Sequence, residues 1–164
     1  MISKAMCKMI NEQINRELYS AYLYQAMGSH SSHEGLNGFA AWFGQQAREE
    51  AGHAFKFYRY LLEQGARVEW KAIEAPPASF KSPLAMFEEV LKHEQFITKS
   101  IHDLAELALK EKDFATQIAL QWFISEQVEE EAAAQDTLAK VRMVGTDSRG
   151  LYMVDKELGA RQAK

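Results

Sequence analysis

Apolar residues recur at intervals of three and four positions over most of the 164-residue chain. This is the spacing that places side chains on one face of an α-helix. Good helix formers such as Ala, Leu, Glu, Gln, Lys and Met dominate these stretches. The pattern predicts four long helices and a short fifth one, covering about residues 3–30, 36–64, 83–110, 114–143 and 147–159. We therefore expect an all-α fold, organised as a single domain over residues 1–164.

The breaks between these helices differ in length, and the difference constrains the topology. The first break, "GSHSSHEG" (28–35), and the third, "KEKD" (110–113), are short and join antiparallel neighbours. The second has nineteen residues, "GARVEWKAIEAPPASFKSP" (65–83), and holds all three prolines. Within it, Ser82 is a candidate N-cap, because Pro83 then takes the first helical position.

The second break is long enough to cross the whole bundle. A helix of 28 residues measures about 42 Å, and nineteen extended residues reach up to roughly 60 Å. We therefore predict a ferritin-like four-helix bundle with one long crossover between helices 2 and 3, rather than a simple up-down-up-down bundle.

Each long helix carries a polar residue in the middle of its apolar stripe. Along the chain these residues are Glu17, Glu50, His53, Glu94, Gln127 and Glu130. An offset of 33 residues relates Glu17 to Glu50 and Glu94 to Gln127, and an offset of 77 relates the second hairpin to the first. One such glutamate is best explained by a misdrawn stripe, but four at fixed offsets predict a shared site at one level of the bundle. His93 and His102 fall outside the stripes.

Clustered buried carboxylates cannot all ionise unless cations neutralise them. Many carboxylates with one imidazole suit iron or manganese better than structural zinc. Glu50 and His53 also form the Glu-x-x-His spacing of di-iron bundles. We therefore predict two adjacent metal positions, in which Gln127 is either a hydrogen-bond partner or a weak ligand. The first is formed by Glu17, Glu50 and His53, and the second by Glu50, Glu94 and Glu130.

The run "EQVEEE" (126–131) contains more glutamates than two positions need. Glu126 and Glu129, with Glu49 on the facing helix, either form a solvated acidic face or a third cluster that guides ions to and from the pair. Glu131 is expected to be solvated.

Composition excludes several classes of function. The net charge is −4 with no basic tail, so a nucleic-acid partner is not expected. Cys7 is the only cysteine, which excludes an internal disulfide and favours a reducing compartment. The N-terminus does not read as a signal peptide, and no apolar run is long enough to cross a membrane. We expect a cytoplasmic protein without a membrane partner.

Several stretches resemble bacterial non-haem ferritins, and they are spread over all five predicted helices. These stretches are "NEQINRELYSAYLYQ" (11–25), "REEAGH" (48–53), "KHEQFIT" (92–98), "LQWFISEQVEEE" (120–131) and "GLYMVDKEL" (150–158). The resemblance implies a homo-oligomeric shell of 24 subunits that stores ferric mineral, with a ferroxidase centre in each subunit that uses Fe(II) and dioxygen.

The resemblance also implies roles for individual residues. Fe(II) is expected at Glu17, Glu50, His53, Glu94 and Glu130, with Gln127 nearby. A third iron site is expected at Glu49, Glu126, Glu129 and Glu130. Tyr24 is expected beside the centre as an electron donor.

Departures from related families narrow the expectation. Bacterioferritins keep a second Glu-x-x-His motif and bind haem through a methionine where this chain has Gly52, so no haem is expected. Rubrerythrins carry a CxxC domain that one cysteine cannot supply. Two alternatives stay open, namely a soluble di-iron oxidase or peroxidase without a storage role and a structural bundle without metal.

Overall fold

The computed structural model describes residues 2–160, and these residues form five helices and no strand. In chain order the helices are α1 (Lys4–His33), α2 (Asn37–Glu63), α3 (Pro83–Glu111), α4 (Phe114–Val144) and α5 (Ser148–Gly159). The predicted all-α class is confirmed. The predicted domain also includes residues 1 and 161–164, which lie outside the described residues. Within residues 2–160, no helix combines the length and apolarity needed to cross a lipid bilayer.

Side-chain caps fix where most of the helices begin. The predicted N-cap is confirmed, because the Ser82 hydroxyl accepts a hydrogen bond from Ala85 N at 3.1 Å and Pro83 follows it. Ser3, Asp113 and Asp147 cap α1, α4 and α5 in the same way. Only α2 has no cap from its own N-cap residue.

Helix α1 extends further than predicted. The sequence places a break at residues 28–35, yet α1 continues to His33 and the connection to α2 is only 34–36. Gly28 stays helical because it lies in the seam with α2, where a Cβ at position 28 would contact Ala40 O and Phe43 Cβ, each at 3.5 Å. Packing overrides the low helix propensity of glycine there. The turn is made instead at Gly35, whose positive φ of 78° favours glycine.

The connection between α2 and α3, residues 64–82, runs along α1 without regular secondary structure. Asn11 anchors its beginning, since its side chain donates to Arg67 O at 3.1 Å and accepts from Glu69 N at 2.7 Å. Near its end, the Phe80 ring lies 5.5 Å from the ring of His30 in the last turn of α1. The crossover therefore spans the bundle and starts α3 parallel to α2, as predicted.

The core is divided into two apolar clusters with a polar layer between them. On α1, residues 6–14 belong to one cluster and residues 23–27 to the other, with Glu17 between them. The other three long helices divide in the same way, around residues 50, 94 and 130. This arrangement places the predicted ligands at one level, mid-bundle.

Helix α5 packs across the N-terminal end of α2. Val154 and Leu158 are buried there, and Asp155 Oδ1 accepts a hydrogen bond from Phe39 N at 3.0 Å, which supplies the cap that α2 lacks. The approach requires glycine at position 38, because a Cβ there would overlap the carbonyl oxygen of Asp155.

Candidate metal centre

Five buried side chains meet in the polar layer. Their exposed fractions are 0% for Glu17, 1% for Glu50, 5% for His53, 1% for Glu94 and 3% for Glu130. Two triplets each offer ligand atoms within 4.8 Å of one another, Glu17–Glu50–His53 and Glu50–Glu94–Glu130. Glu50 is common to both. The structure thus brings together the side chains that the spacing predicted, in the predicted division, while metal binding itself stays a prediction.

Burial makes ionisation of these carboxyls costly. It is the main cause that raises the pKa of Glu17 to about 7 and the pKa of Glu94 to about 8, and the negative charge of Glu130 adds to both effects. The pKa of Glu50 is raised well above its ordinary value by burial and then by Glu94 and Glu17. The metal-free centre therefore retains protons near neutral pH, and these are the protons that a cation replaces.

Glutamine amides hold one oxygen of each of three carboxylates. Each amide nitrogen donates to one oxygen of its carboxylate. Glu17 keeps its Oε2 for a cation, whereas the other oxygen of Glu94 accepts a hydrogen bond from Tyr24. The pairs are Gln13 with Glu17 at 2.7 Å, Gln46 with Glu130 at 2.8 Å and Gln127 with Glu94 at 3.1 Å. The sequence reasoning assigned no role to Gln13 or Gln46, although Gln46 lies on the apolar stripe.

The donor set of the layer fits a hard divalent cation. Glu17 Oε2 and Glu50 Oε1 are buried and accept no hydrogen bond from a protein donor. Buried carboxylate oxygens in this state need a proton or a cation. Carboxylates with one imidazole and no thiolate suit Fe²⁺ or Mn²⁺, since Cys7 lies elsewhere, beside Arg67 of the crossover.

Tyr24 lies directly against the layer. Its side chain is fully buried, and its hydroxyl donates a hydrogen bond to Glu94 Oε1. Burial, followed by the charge of Glu94, raises its pKa well above the ordinary value, so the phenol stays protonated and remains a donor. The position agrees with the one that the resemblance implies.

Gln127 points its amide nitrogen at Glu94 Oε2 and, at 3.2 Å, at Thr98 Oγ1. Of the two alternatives left open by the sequence, this geometry is that of a hydrogen-bond partner of a ligand.

The additional glutamates are distributed unequally around the pair. Glu126 forms a third triplet with His53 and Glu130, with ligand atoms within 4.8 Å of one another. Glu49 is half-buried and accepts a hydrogen bond from Gln45 at 2.9 Å, and Glu129 is exposed. Over residues 2–160, neither Glu49 nor Glu129 belongs to such a triplet. The structure brings Glu126 to the pair and leaves the other two further out.

Two expectations about neighbouring residues are wrong. His93, expected outside the stripes, is buried, and its Nε2 lies 2.7 Å from Ser20 Oγ. Burial lowers its pKa to about 4, so the ring is neutral. Glu131, expected to be solvated, is half-buried and accepts a hydrogen bond from Thr98 at 2.5 Å. His102 is exposed, as expected.

Trp122 shields the histidine of the centre. Its ring packs edge-on against the ring of His53 at 5.3 Å, and the Lys56 ammonium lies over its outer face, 2.8 Å from the ring centroid. No spacing in the sequence indicated this contact.

A bundle with one long crossover and a mid-bundle layer of carboxylates defines the class of carboxylate-type metal-binding four-helix bundles. Comparison with known proteins narrows the class. The Ferritin-like domain family matches residues 7–144. The chain belongs to the ferritin family, and its membership implies iron binding and iron storage with ferroxidase activity.

Similar proteins cover nearly the whole chain. The bacterial non-heme ferritin of Staphylococcus aureus (strain USA300) is 41% identical over 161 residues, which are 98% of this chain and 97% of that protein. The bacterial non-heme ferritin of Campylobacter jejuni is 44% identical over 156 residues, which are 95% of this chain and 93% of that protein.

Among solved structures, an open pore ferritin from the hyperthermophilic archaeon Archaeoglobus fulgidus has a TM-score of 0.97 at 50% identity. The alignment covers 99% of this chain and 100% of that one. A humanized archaeal ferritin has a TM-score of 0.98 at 48% identity, and its alignment covers 100% of this chain and 99% of that one. The predicted ferritin-like fold is thereby confirmed.

Proposed function

We propose that this chain oxidises Fe(II) with dioxygen at a dinuclear centre inside each subunit and deposits the ferric product in a hollow shell of identical subunits, 24 by the family resemblance. One observation carries the proposal. Four buried carboxyls and one imidazole lie close together, and this arrangement is stable only when protons or cations neutralise the carboxylates.

The charges account for both binding and release of iron. Glu17, Glu50 and His53 bind one ferrous ion, and Glu50, Glu94 and Glu130 bind the other. The four ionised carboxylates then balance two divalent ions. Each ion loses one electron, and dioxygen takes both electrons together with two protons and leaves as hydrogen peroxide. The remaining ferric ions exceed the carboxylate charge, which favours their hydrolysis and departure as oxide.

Residues beside the pair assist the transfer. Tyr24 fixes Glu94 through its hydrogen bond, and the family resemblance gives it the role of an electron donor beside the centre. Glu126 shares its neighbourhood with His53 and Glu130 and begins an exit route that continues over Glu49 and Glu129 as a third iron position.

Assembly into a shell is supported by the surface of the single chain. Large apolar side chains are exposed at Trp70, Phe114, Ile118, Met143 and Tyr152. Phe114 and Ile118 lie one turn apart on the same face of α4, and adjoining exposed apolar side chains mark contacts between protein chains. We propose a homo-oligomer that acts in the cytoplasm, without haem, because Gly52 replaces the methionine of haem-binding relatives.

Rapid-mixing kinetics tests the proposal. Chelator-treated protein is loaded with Fe(II) without oxygen and then mixed with dioxygen, and about two irons per chain should oxidise rapidly. His53→Ala should abolish this fast phase, since it removes the only imidazole ligand. Oxidation of the unmodified protein no faster than in buffer would contradict the ferroxidase assignment. A dimer rather than a shell in light scattering would favour the alternative, a soluble di-iron oxidase or peroxidase without storage.

A further inference from the structure

A chain of hydrogen bonds connects the metal layer with the groove between α3 and α4. Gln127 Nε2 donates to Glu94 Oε2 at 3.1 Å and to Thr98 Oγ1 at 3.2 Å, and the Thr98 hydroxyl donates to Glu131 Oε1 at 2.5 Å. Thr98, Gln127 and Glu131 all line the groove. The half-buried side chain of Glu131 is thus linked through Thr98 and Gln127 to the buried carboxylate of Glu94.

Glu131 determines which group donates and which accepts in each of these hydrogen bonds. The Thr98 hydroxyl is the donor in its hydrogen bond to Glu131, because carboxylate oxygens accept hydrogen bonds. Its lone pairs then accept from Gln127, which forces the amide nitrogen, and not the amide oxygen, toward Thr98 and Glu94. The amide nitrogen also lies 3.4 Å from the main-chain oxygen of Glu94. Without Glu131 the hydroxyl can donate to the amide oxygen, so Thr98 no longer selects the orientation in which the amide nitrogen faces Glu94 Oε2.

The first hairpin holds its counterpart of Glu94 by a different arrangement. Gln13 donates to Glu17 Oε1 at 2.7 Å and accepts from Ser100 Oγ at 2.7 Å, and all three side chains are buried. The offset of 77 residues that relates Glu94 to Glu17 relates Gln127 to Glu50. The same offset relates Thr98 and Glu131 to two alanines, Ala21 and Ala54. Neither alanine side chain can form a hydrogen bond with Glu50, and Glu50 serves both triplets. The outward pairing of Gln127 is specific to the second hairpin.

Glu94 depends on this arrangement for its orientation. Both of its oxygens accept hydrogen bonds, one from Tyr24 and one from Gln127. The apolar core around Tyr24 fixes the first donor, since its ring stacks on Phe43. Thr98 and Glu131 fix the second. We infer that Thr98 and Glu131 are positioning residues for the second cation position, Glu50–Glu94–Glu130, an inference that rests on the proposed function.

Cobalt binding tests the inference without turnover. The full assembled protein, freed of metal, is titrated with Co(II) without oxygen, and the visible absorption of the bound ion reports each position in turn. Thr98→Val keeps the shape of the side chain and removes the hydroxyl. It should weaken the second position about tenfold, the lower end of the range for residues behind metal ligands, and leave the first unchanged. Glu131→Ala should weaken the same position severalfold.

Two further variants separate positioning from folding. Thr98→Ser keeps the hydroxyl and should restore binding at the second position. Thr137→Val removes a buried hydroxyl from α4 that donates only to the backbone carbonyl of Ala133, and it should bind Co(II) like the unmodified protein.

Three results would overturn the inference. Unchanged binding by Thr98→Val would do so, as would equal weakening of both positions, which indicates a structural role alone. If the unmodified protein binds fewer than two Co(II) ions per chain, the dinuclear centre of the proposed function fails, and the inference fails with it.

Discussion

Replacing Glu17 by glutamine should change how the stability of the metal-free protein depends on pH. Burial raises the pKa of this carboxyl from 4.5 to about 7 in the folded chain. Below pH 4.5 both folded and unfolded chains hold the proton, whereas between 4.5 and about 7 only the folded chain does. The free energy of unfolding therefore falls as the pH rises through this window. An amide at position 17 has no such dependence.

The size of the effect follows from the shift. One unit of pKa corresponds to about 1.4 kcal/mol, so from pH 5 to pH 8 ionisation of Glu17 costs the folded chain on the order of 2–3 kcal/mol. For chains of this length, 1 kcal/mol shifts the melting temperature by about 2–4 °C. The melting temperature of Glu17→Gln, relative to the unmodified protein, should rise by about 5–10 °C over this pH range. The amide oxygen can still accept the hydrogen bond from Gln13.

The assay is a set of thermal melts of chelator-treated shells at fixed protein concentration, with light scattering to verify that assembly is unchanged. Glu12→Gln is the matched control, because Glu12 lies on the same helix in a surface ion pair with Lys71 at 3.7 Å. Its difference from the unmodified protein should not vary with pH in this way. A Glu17→Gln difference that is constant from pH 5 to pH 8, or that falls, would refute the assignment of a buried, proton-retaining carboxyl.

Two other predictions concern the exit route and the last helix. Glu129→Ala should slow repeated iron turnover and leave the initial fast oxidation within about twofold, because Glu129 is exposed and outside the triplets; loss of the fast phase in stopped-flow mixing would contradict this division. Gly38→Ala should displace α5 and destabilise the fold by about 1–3 kcal/mol, since the new Cβ overlaps the backbone of Asp155. Faster amide hydrogen exchange in α5 would report the displacement. The control Gly44→Ala, whose Cβ meets only the side chain of Arg48 at 3.8 Å, should leave α5 protected.

The sequence could predict that the metal-ligand side chains meet, because their meeting depends on only two properties of the chain. A helical repeat fixes which side chains share a face, and the crossover length fixes how the two hairpins meet. Together they placed Glu17, Glu50, Glu94 and Glu130 at one level. The same reasoning left His93 outside the core, although His93 is buried. Helix α3 contacts both α1 and α4, so its buried face is wider than one stripe.

The hydrogen bonds around the ligands were not predictable from spacing. Whether Gln13 reaches Glu17 or Glu131 reaches Thr98 depends on side-chain rotamers and on the rotation of each helix about its axis. A pattern of apolar positions gives that rotation only approximately. The extra turn of α1 past Gly28 has a similar origin, because local propensity indicated a break and contact with α2 decided otherwise.

The two triplets take their residues from different parts of the bundle, and this difference affects how each bound ion would stabilise it. Glu17, Glu50 and His53 all come from the first hairpin, so an ion bound by them connects α1 with α2. Glu50, Glu94 and Glu130 come from both hairpins, which are otherwise joined covalently only by residues 64–82. An ion bound there connects the first hairpin with the second. We expect an ion in that position to reduce the relative motion of the two hairpins, and an ion at Glu17, Glu50 and His53 alone to leave that motion unchanged.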